Sequence, residues 1–123
     1  MSRSVLVVDD QSEARQLVRM VMEVESYTVR EAGNASMALS SARAERPDCF
    51  IIDIRMPGPI DGLGLCRAIR LDPQLAQIPV ILLSAFFRAD ERHQADLAGA
   101  DVFFEKPFNF NDLLEQVERL TQH

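Results

Sequence analysis

The stretch FIIDIRMP, residues 50–57, places a single acid, Asp53, at the end of a run of apolar residues and then breaks at a Met-Pro pair. A short, continuous apolar run is typical of a strand that is buried on both faces of a parallel sheet. Proline cannot donate a ladder hydrogen bond, so the break is typical of a strand end. The sequence therefore predicts that residues 48–53 form an inner strand whose carboxyl end presents Asp53.

Similar β-rich runs recur along the chain, separated by longer amphipathic segments. The other predicted strands are SVLVVD (4–9), YTVREA (27–32), IPVILLSA (78–85) and DVFFE (101–105). Apolar residues at helical spacing predict helices over 12–25, over 35–45, from Leu63 to Asp72-Pro73, and through Leu113, Leu114, Val117 and Leu120. The polar segment 89–98 lies where the alternation requires a fourth helix, with Gly99 as its C-terminal cap. Strands that alternate with helices predict an α/β fold, a (βα)5 doubly wound parallel sheet.

The first predicted helix carries the clearest stripe. Its apolar residues are Ala14, Leu17, Val18, Val21 and Met22, and we expect this face to point inward.

Composition limits the class of protein. The chain has 123 residues, 47% of them hydrophobic and 26% charged, which is typical of one globular domain spanning 1–123 without a second domain. The net charge of -6 argues against direct nucleic-acid binding. No apolar run approaches the roughly 18 residues needed to span a membrane, and the N-terminus is too acidic for a signal peptide, so we expect a cytoplasmic protein. Cys49 and Cys66 have no metal-ligand spacing and are expected to be small buried hydrophobes.

Polar residues follow four of the predicted strands. Asp9 and Asp10 end the first, Asp53 the third and Ser84 the fourth, while the fifth runs into Lys106-Pro107. Ligands of open α/β sheets bind outside the carboxyl ends of the strands, where the strand order reverses. We therefore expect three carboxylates, one hydroxyl and one ammonium to converge on one rim.

This set of groups indicates phosphoryl chemistry. Close carboxylates repel one another unless a cation compensates them, and Mg²⁺ (or Mn²⁺) binds one or two carboxylates together with waters and phosphate oxygens. A metal and the Lys106 ammonium on either side of a carboxylate could clamp a transferring phosphoryl group, and Ser84 could donate a hydrogen bond to it. Asp53 itself could be the nucleophile and form an acyl phosphate.

Each of these residues also has an ordinary interpretation. Either acid of the Asp9-Asp10 pair could cap the first helix, Asp53 could be a turn residue, Ser84 could cap a backbone group, and Lys106 could be a solvated surface charge. Four strand ends that supply complementary groups at one rim favour the functional interpretation.

The chain closely resembles the response-regulator receiver domain of two-component signalling. The motifs that carry the resemblance are VVDD (7–10), DIRMP (53–57) followed by DG (61–62), LSA (83–85) and GAD…EKPF (99–108), and the match runs from about residue 4 to 121. The resemblance implies a flavodoxin-like fold with strand order 2-1-3-4-5.

The resemblance also implies a function. Asp53 would accept a phosphoryl group from a histidine kinase or a histidine phosphotransfer protein, and the domain would then control a downstream protein target or an output domain. It would not be an enzyme, apart from catalysing its own phosphorylation and dephosphorylation. A phosphorylation-dependent homodimer is a further expectation of this class.

Individual roles follow from the same resemblance. Asp10, Asp53 and the backbone carbonyl of Arg55 would bind the metal, with Asp9 acting through a metal-bound water. Ser84 and Lys106 would contact the phosphoryl group, and Lys106-Pro107 would be a cis peptide.

The resemblance also implies a route to the output face. Ser84 would move toward the phosphoryl group, and Phe103 would rotate and shift the face built from the fourth helix, fifth strand and fifth helix. Phe103 has no hydroxyl and would act by packing, and on sequence alone it could equally be a core residue. Phe104 would point to the opposite face as a core residue.

The sequence departs from the family pattern in the loop after Asp53. The segment Met56–Gly62 is one residue longer than usual and contains two prolines, which leaves open whether Arg55 still offers its carbonyl to the metal. Arg55 and Phe86 occupy positions that tune the lifetime of the acyl phosphate in this family. The Arg55 guanidinium could pair with the acid cluster or point into solvent, and we expect slow self-dephosphorylation.

Three other classes compete with a phosphoacceptor domain. A phosphatase of the haloacid-dehalogenase type needs an acid two residues after its nucleophile, where this chain has Arg55. An FMN-binding flavodoxin-like module needs an anion-binding first loop, which Asp9 and Asp10 oppose. A receiver-like adaptor that works without phosphate typically lacks one of the acids or the lysine, all of which are kept here.

Overall fold

The computed structural model describes residues 3–85 and 90–122 as alternating strands and helices. The strands are β1 (Ser4–Val8), β2 (Thr28–Ala32), β3 (Cys49–Asp53), β4 (Val80–Ser84) and β5 (Val102–Glu105). The helices are α1 (Ser12–Val24), α2 (Ala35–Ala44), α3 (Gly62–Leu71), α4 (Glu91–Ala98) and α5 (Phe110–Thr121). The predicted element types are confirmed, with boundaries that differ by only a few residues.

The strands form a single parallel sheet in the order β2-β1-β3-β4-β5. The predicted doubly wound α/β fold and its strand order are therefore confirmed. The chain builds outward from β1 to one edge and then from β3 to the other, so the strand order reverses between β1 and β3. That switch point is where open α/β sheets leave a crevice for a ligand.

Two apolar layers cover the sheet, one on each face. On one face α2, α3 and α4 pack with buried residues that include Ala38, Leu65, Ile69 and Ala95. On the other, α1 and α5 contribute Val18, Met22, Leu113 and Val117. All five residues of β3 and all five of β4 are buried, which explains their apolar runs.

The predicted inward stripe of α1 is partly wrong. Val18 and Met22 are buried and Ala14 and Val21 are half-buried, but Leu17 is 51% exposed. Val18 and Met22 are one helical turn apart and define the centre of the buried face, so Leu17, about 100° around the helix from Val18, lies at its edge.

Both cysteines are buried, as the sequence predicts. Burial raises the pKa of the Cys49 thiol far above its usual value and that of Cys66 to about 11. Neither thiol has the lowered pKa of a reactive cysteine. Among the described residues, no helix is long and apolar enough to cross a membrane.

Helix ends follow local capping chemistry. The side chains of Asn34 and Asp61 accept backbone N–H bonds from the first turns of α2 and α3. Gly99 ends α4 with φ +96°, a left-handed conformation that favours glycine, which confirms the predicted cap. A Cβ at Gly99 would also lie 2.8 Å from Cγ of Arg70, whose guanidinium binds the Gly99 carbonyl.

Candidate functional site

The carboxyl ends of the inner strands bring the predicted site residues to one rim. Asp53 pairs in register with Leu83, so the end of β3 lies beside Ser84 at the end of β4. The Lys106 N–H donates to the Ser84 carbonyl at 2.7 Å and places the lysine immediately after β5. Strand register thus determines the position of each group.

The three acids form a cluster. Asp9, Asp10 and Asp53 each offer a carboxylate oxygen, and these oxygens lie within 4.8 Å of one another. Asp9 and Asp53 are buried, at 4% and 7% exposure, whereas Asp10 is exposed. Carboxylate oxygens are the ligands that Mg²⁺ prefers, and the exposed side of the cluster leaves room for the waters that Mg²⁺ retains. The donor set therefore fits a hard divalent cation.

Local hydrogen bonds hold Asp9 in the cluster. Its Oδ1 accepts the N–H of Gln11 at 2.9 Å, and its carbonyl accepts a bond from Nη1 of Arg15 at 2.6 Å. The N-cap residue of α1 is Gln11, which makes no side-chain capping bond. The simple interpretation of Asp9 as the helix cap is thus incorrect: its carboxylate orders the turn before the helix.

Lys106 bridges two of the acids. Its Nζ lies 3.5 Å from Oδ2 of Asp53 and 3.7 Å from Oδ2 of Asp9. The Lys106–Pro107 peptide is cis, as the resemblance implies. The lysine is therefore directed into the acid cluster, and its interpretation as a solvated surface charge is wrong.

The environment of Asp53 is unfavourable to its charged form. Burial raises the pKa of Asp53, the Lys106 ammonium lowers it, and the Asp9 carboxylate raises it again, with a net rise above the usual value. A buried carboxylate with these neighbours is a common feature of functional sites. A cation bound at the cluster would compensate the same repulsion.

Ser84 lies at this rim but contacts a residue that sequence reasoning missed. Ser84 is fully buried, and its hydroxyl donates to Oε1 of Glu91, the first residue of α4. Glu91 is itself only 7% exposed. The sequence gives no signal for this contact, because Glu91 lies between Asp90 and Arg92 in a segment that looks like a solvated helix face.

Arg55 reaches the same glutamate from the other side. Its N–H donates to Oδ1 of Asp53 at 3.3 Å, while its Nη2 lies 3.7 Å from Oε2 of Glu91. The guanidinium thus pairs with an acid of α4, which neither sequence alternative anticipated. The role of the Arg55 carbonyl as a metal ligand stays a prediction.

The lengthened loop after Asp53 is closed at its far end by glycine. The Gly62 N–H donates to the Ile54 carbonyl at 2.8 Å, and a Cβ at Gly62 would lie 2.4 Å from the backbone oxygen of Asp53. Gly58 adopts φ +105° within the loop. The backbone of α3 can approach the end of β3 this closely only because residue 62 lacks a side chain.

The two aromatic residues of β5 point to opposite faces, as predicted. Phe103 is 9% exposed and packs in the layer formed with α2, α3 and α4, with the Arg92 guanidinium 4.9 Å from its ring centroid. Phe104 is half-buried on the other face, 5.7 Å from the ring of Phe108. The switch role of Phe103 stays a prediction, and Phe86 lies outside the described residues.

Comparison with known proteins gives a consistent result. A family model for the response regulator receiver domain matches residues 5–118. The transcriptional regulatory protein ResD of Bacillus subtilis is 35% identical over 116 residues, which cover 94% of this chain and 47% of ResD. The response regulator PleD of Caulobacter vibrioides is 35% identical over 122 residues, covering 99% of this chain and 27% of PleD.

Solved structures agree in fold. The signal receiver domain of a signal transduction histidine kinase from Syntrophus aciditrophicus superposes with a TM-score of 0.91 at 31% identity, covering 98% of this chain and 90% of that one. The chemotaxis protein CheY4 of Vibrio cholerae gives a TM-score of 0.89 at 29% identity, covering 98% and 99%. The chain spans half or less of the length of the two curated relatives, so the matched part is their shared domain.

Proposed function

Because this chain belongs to the response regulator receiver domain family of two-component signalling, we propose that Asp53 is its phosphoacceptor and that the transfer depends on Mg²⁺. Asp53 would receive the phosphoryl group from a histidine kinase or a histidine phosphotransfer protein. The single observation that best supports this proposal is that Asp53 belongs to an acid cluster that fits a cation and is also in contact with the Lys106 ammonium.

The chain's own residues suit an in-line transfer. A carboxylate oxygen of Asp53 would attack the phosphorus of a phosphohistidine; the new P–O bond forms as the P–N bond breaks, and the imidazole nitrogen keeps the electron pair. Lys106 would neutralise charge on the phosphoryl oxygens from one side, and Ser84 would donate to one of them once its hydroxyl turns toward Asp53. A bound Mg²⁺ would supply further charge neutralisation at the same oxygens.

The residues proposed to hold the metal are Asp10, Asp53 and the carbonyl of Arg55, with Asp9 acting through water. Asp9 is buried and accepts a backbone hydrogen bond, which suits a fixed outer position, whereas Asp10 is exposed and free to meet an incoming ion. Mn²⁺ would suit the same oxygen ligands.

Phosphorylation is proposed to act on a partner through the α4, β5 and α5 face. Movement of Ser84 toward the phosphoryl group would change the packing space of Phe103, which lies on β5 beside Arg92 of α4. The target could be another protein or an output domain, and a phosphorylation-dependent homodimer would use the same face. ResD is named a transcriptional regulatory protein, but the net charge of -6 here supports no direct contact of this domain with nucleic acid.

The rival phosphatase function finds no support at the position that it requires. The residue two after Asp53 is Arg55, a cation paired with Glu91, where a haloacid-dehalogenase-type enzyme needs a proton-donating acid. Turnover of phosphoryl groups by this domain is thus proposed to be limited to its own acyl phosphate.

Incubation with acetyl phosphate tests the proposal. The protein should gain the mass of one phosphoryl group when Mg²⁺ is present, and the gain should be lost with excess EDTA. Asp53→Asn should show no gain, while Asp96→Asn, which changes an exposed acid of α4, should match the wild type. Wild-type protein that gains no mass with Mg²⁺ present would contradict the proposal.

A further inference from the structure

Glu91 is a buried charge that no step of the proposed transfer uses. It begins α4, is 7% exposed, and directs its two carboxylate oxygens to two different neighbours. Buried carboxylates are costly unless they are paired and hydrogen-bonded. Its contacts should therefore explain why the chain keeps an acid at this position.

Both contacts of Glu91 lead to the phosphorylation site. Oε1 accepts the hydroxyl proton of Ser84, and Oε2 lies 3.7 Å from Nη2 of Arg55. Ser84 ends the strand beside β3, and the Arg55 N–H donates to Asp53. Glu91 thus joins the end of β4 and the loop after Asp53 to the first turn of α4.

The hydroxyl of Ser84 can serve a single acceptor at a time. A serine hydroxyl carries one donor proton, so the bond to Glu91 and a bond to a phosphoryl oxygen on Asp53 exclude each other. With Asp53 unmodified, the Ser84 hydroxyl donates to Glu91. The charged oxygens of a phosphoryl group on Asp53 are strong acceptors and would compete for the same proton.

We infer that Glu91 is a positioning residue that holds the Ser84 hydroxyl away from Asp53 until a phosphoryl group competes for it. The inference rests on the proposed function of Asp53. In this arrangement phosphorylation withdraws the Ser84 hydroxyl from Glu91, while the ion pair of that carboxylate with Arg55 is kept. The first turn of α4 then loses this hydrogen bond to β4, which couples the chemistry directly to a helix of the output face.

The variants Glu91→Gln and Glu91→Met separate this role from simple packing. Gln has the shape of Glu but offers a neutral acceptor, and Met fills a similar volume without one. Arg55 is about a third exposed, so removal of Glu91 leaves it access to water. Because each change weakens the resting state selectively, phosphorylation by acetyl phosphate at saturating Mg²⁺ should be faster by about three- to tenfold, with Met above Gln.

The experiment is a double-mutant cycle with Ser84→Ala, in which initial rates are measured by intact mass. Acceleration by Glu91→Gln that disappears in the Ser84→Ala background would support the inference, and Glu115→Gln, an exposed acid of α5, should match the wild type in both backgrounds. An equal acceleration in the Ser84→Ala background, or none with wild-type Ser84, would overturn it.

Two further outcomes keep the inference separate from the proposed function. If the wild-type protein is phosphorylated and Glu91→Gln behaves identically, the role of Glu91 fails and the role of Asp53 stands. If the wild-type protein is not phosphorylated, both fail. Loss of the far-ultraviolet circular dichroism signal in both Glu91 variants would assign Glu91 to the fold alone and overturn the inference.

Discussion

The ammonium nitrogen of Lys106 lies 3.5 Å from Oδ2 of Asp53, yet the pKa of Asp53 is raised. Burial outweighs the attraction, and the carboxylate of Asp9 adds repulsion. In the absence of metal, the charged form of Asp53 therefore destabilises the fold.

The first prediction is that Asp53→Asn is more stable than the wild type by an amount that depends on pH. Because the folded pKa is raised, the folded chain binds more protons than the unfolded chain between the usual and the raised pKa, and stability falls as pH increases through that window. Asp53→Asn should therefore be more stable than the wild type at neutral pH in EDTA. The difference should shrink toward about pH 4, where the unfolded carboxyl is itself half neutral. Urea titrations across this range measure it, and a variant less stable than the wild type at pH 7 would contradict the account.

Metal binding should stabilise the wild type. At Mg²⁺ about 100 times its dissociation constant, the free energy of unfolding should rise by about 2.7 kcal/mol, as expected for an ion that binds the folded cluster and not the unfolded chain. Asp10→Asn removes one exposed carboxylate of the cluster and should reduce the apparent Mg²⁺ affinity by about tenfold or more. Thermal melts against Mg²⁺ concentration test this, with Asp112→Asn, an exposed acid of α5, as the control. Equal metal responses of Asp10→Asn and the control would exclude Asp10 as a ligand.

Gly62 should be sensitive to a single methyl group. Its Cβ would lie 2.4 Å from the carbonyl oxygen of Asp53 and 2.6 Å from Cα of Ile54, both backbone atoms that cannot rotate away. Gly62→Ala should cost about 2 kcal/mol or more of stability and slow phosphorylation of Asp53, because the end of β3 must shift to make room for the methyl group.

Gly64→Ala is the matched control for this substitution. Its Cβ would meet Cγ2 of Ile60 at 2.9 Å, a side-chain atom at the surface, and alanine favours the helix by up to about 1 kcal/mol. It should therefore be close to neutral in urea denaturation. Equal losses of unfolding free energy in Gly62→Ala and Gly64→Ala would show that the close approach of α3 to the end of β3 does not determine stability.

Phe103 offers a direct probe of switching, because the chain has no tryptophan. In Phe103→Trp, phosphorylation should shift the emission maximum, since the ring would repack beside Arg92 when Ser84 moves. Phe104→Trp, on the opposite face, should change little, and Ser84→Ala should abolish the shift at position 103. A shift that is equal at both positions would indicate a general change and would contradict a specific role for Phe103.

Much of the site could be predicted because strand ends of a parallel sheet converge. The apolar run before Asp53 and the acids after β1 define that rim from local pattern alone. Glu91 could not be found in this way, because its burial depends on how α4 packs against β4 and on the position of Arg55. The exposure of Leu17 has a related cause, because helical spacing identifies an apolar face but not how far the neighbouring elements cover it.

Localisation of the phosphoryl group tests most directly whether Asp53 is the phosphoacceptor. After reaction with acetyl phosphate and Mg²⁺, borohydride converts an aspartyl phosphate to homoserine, and peptide mass spectrometry identifies the modified residue. We expect homoserine at position 53 and unmodified residues at Asp9 and Asp10. Modification at another residue of the wild-type protein, with position 53 unchanged, would contradict it.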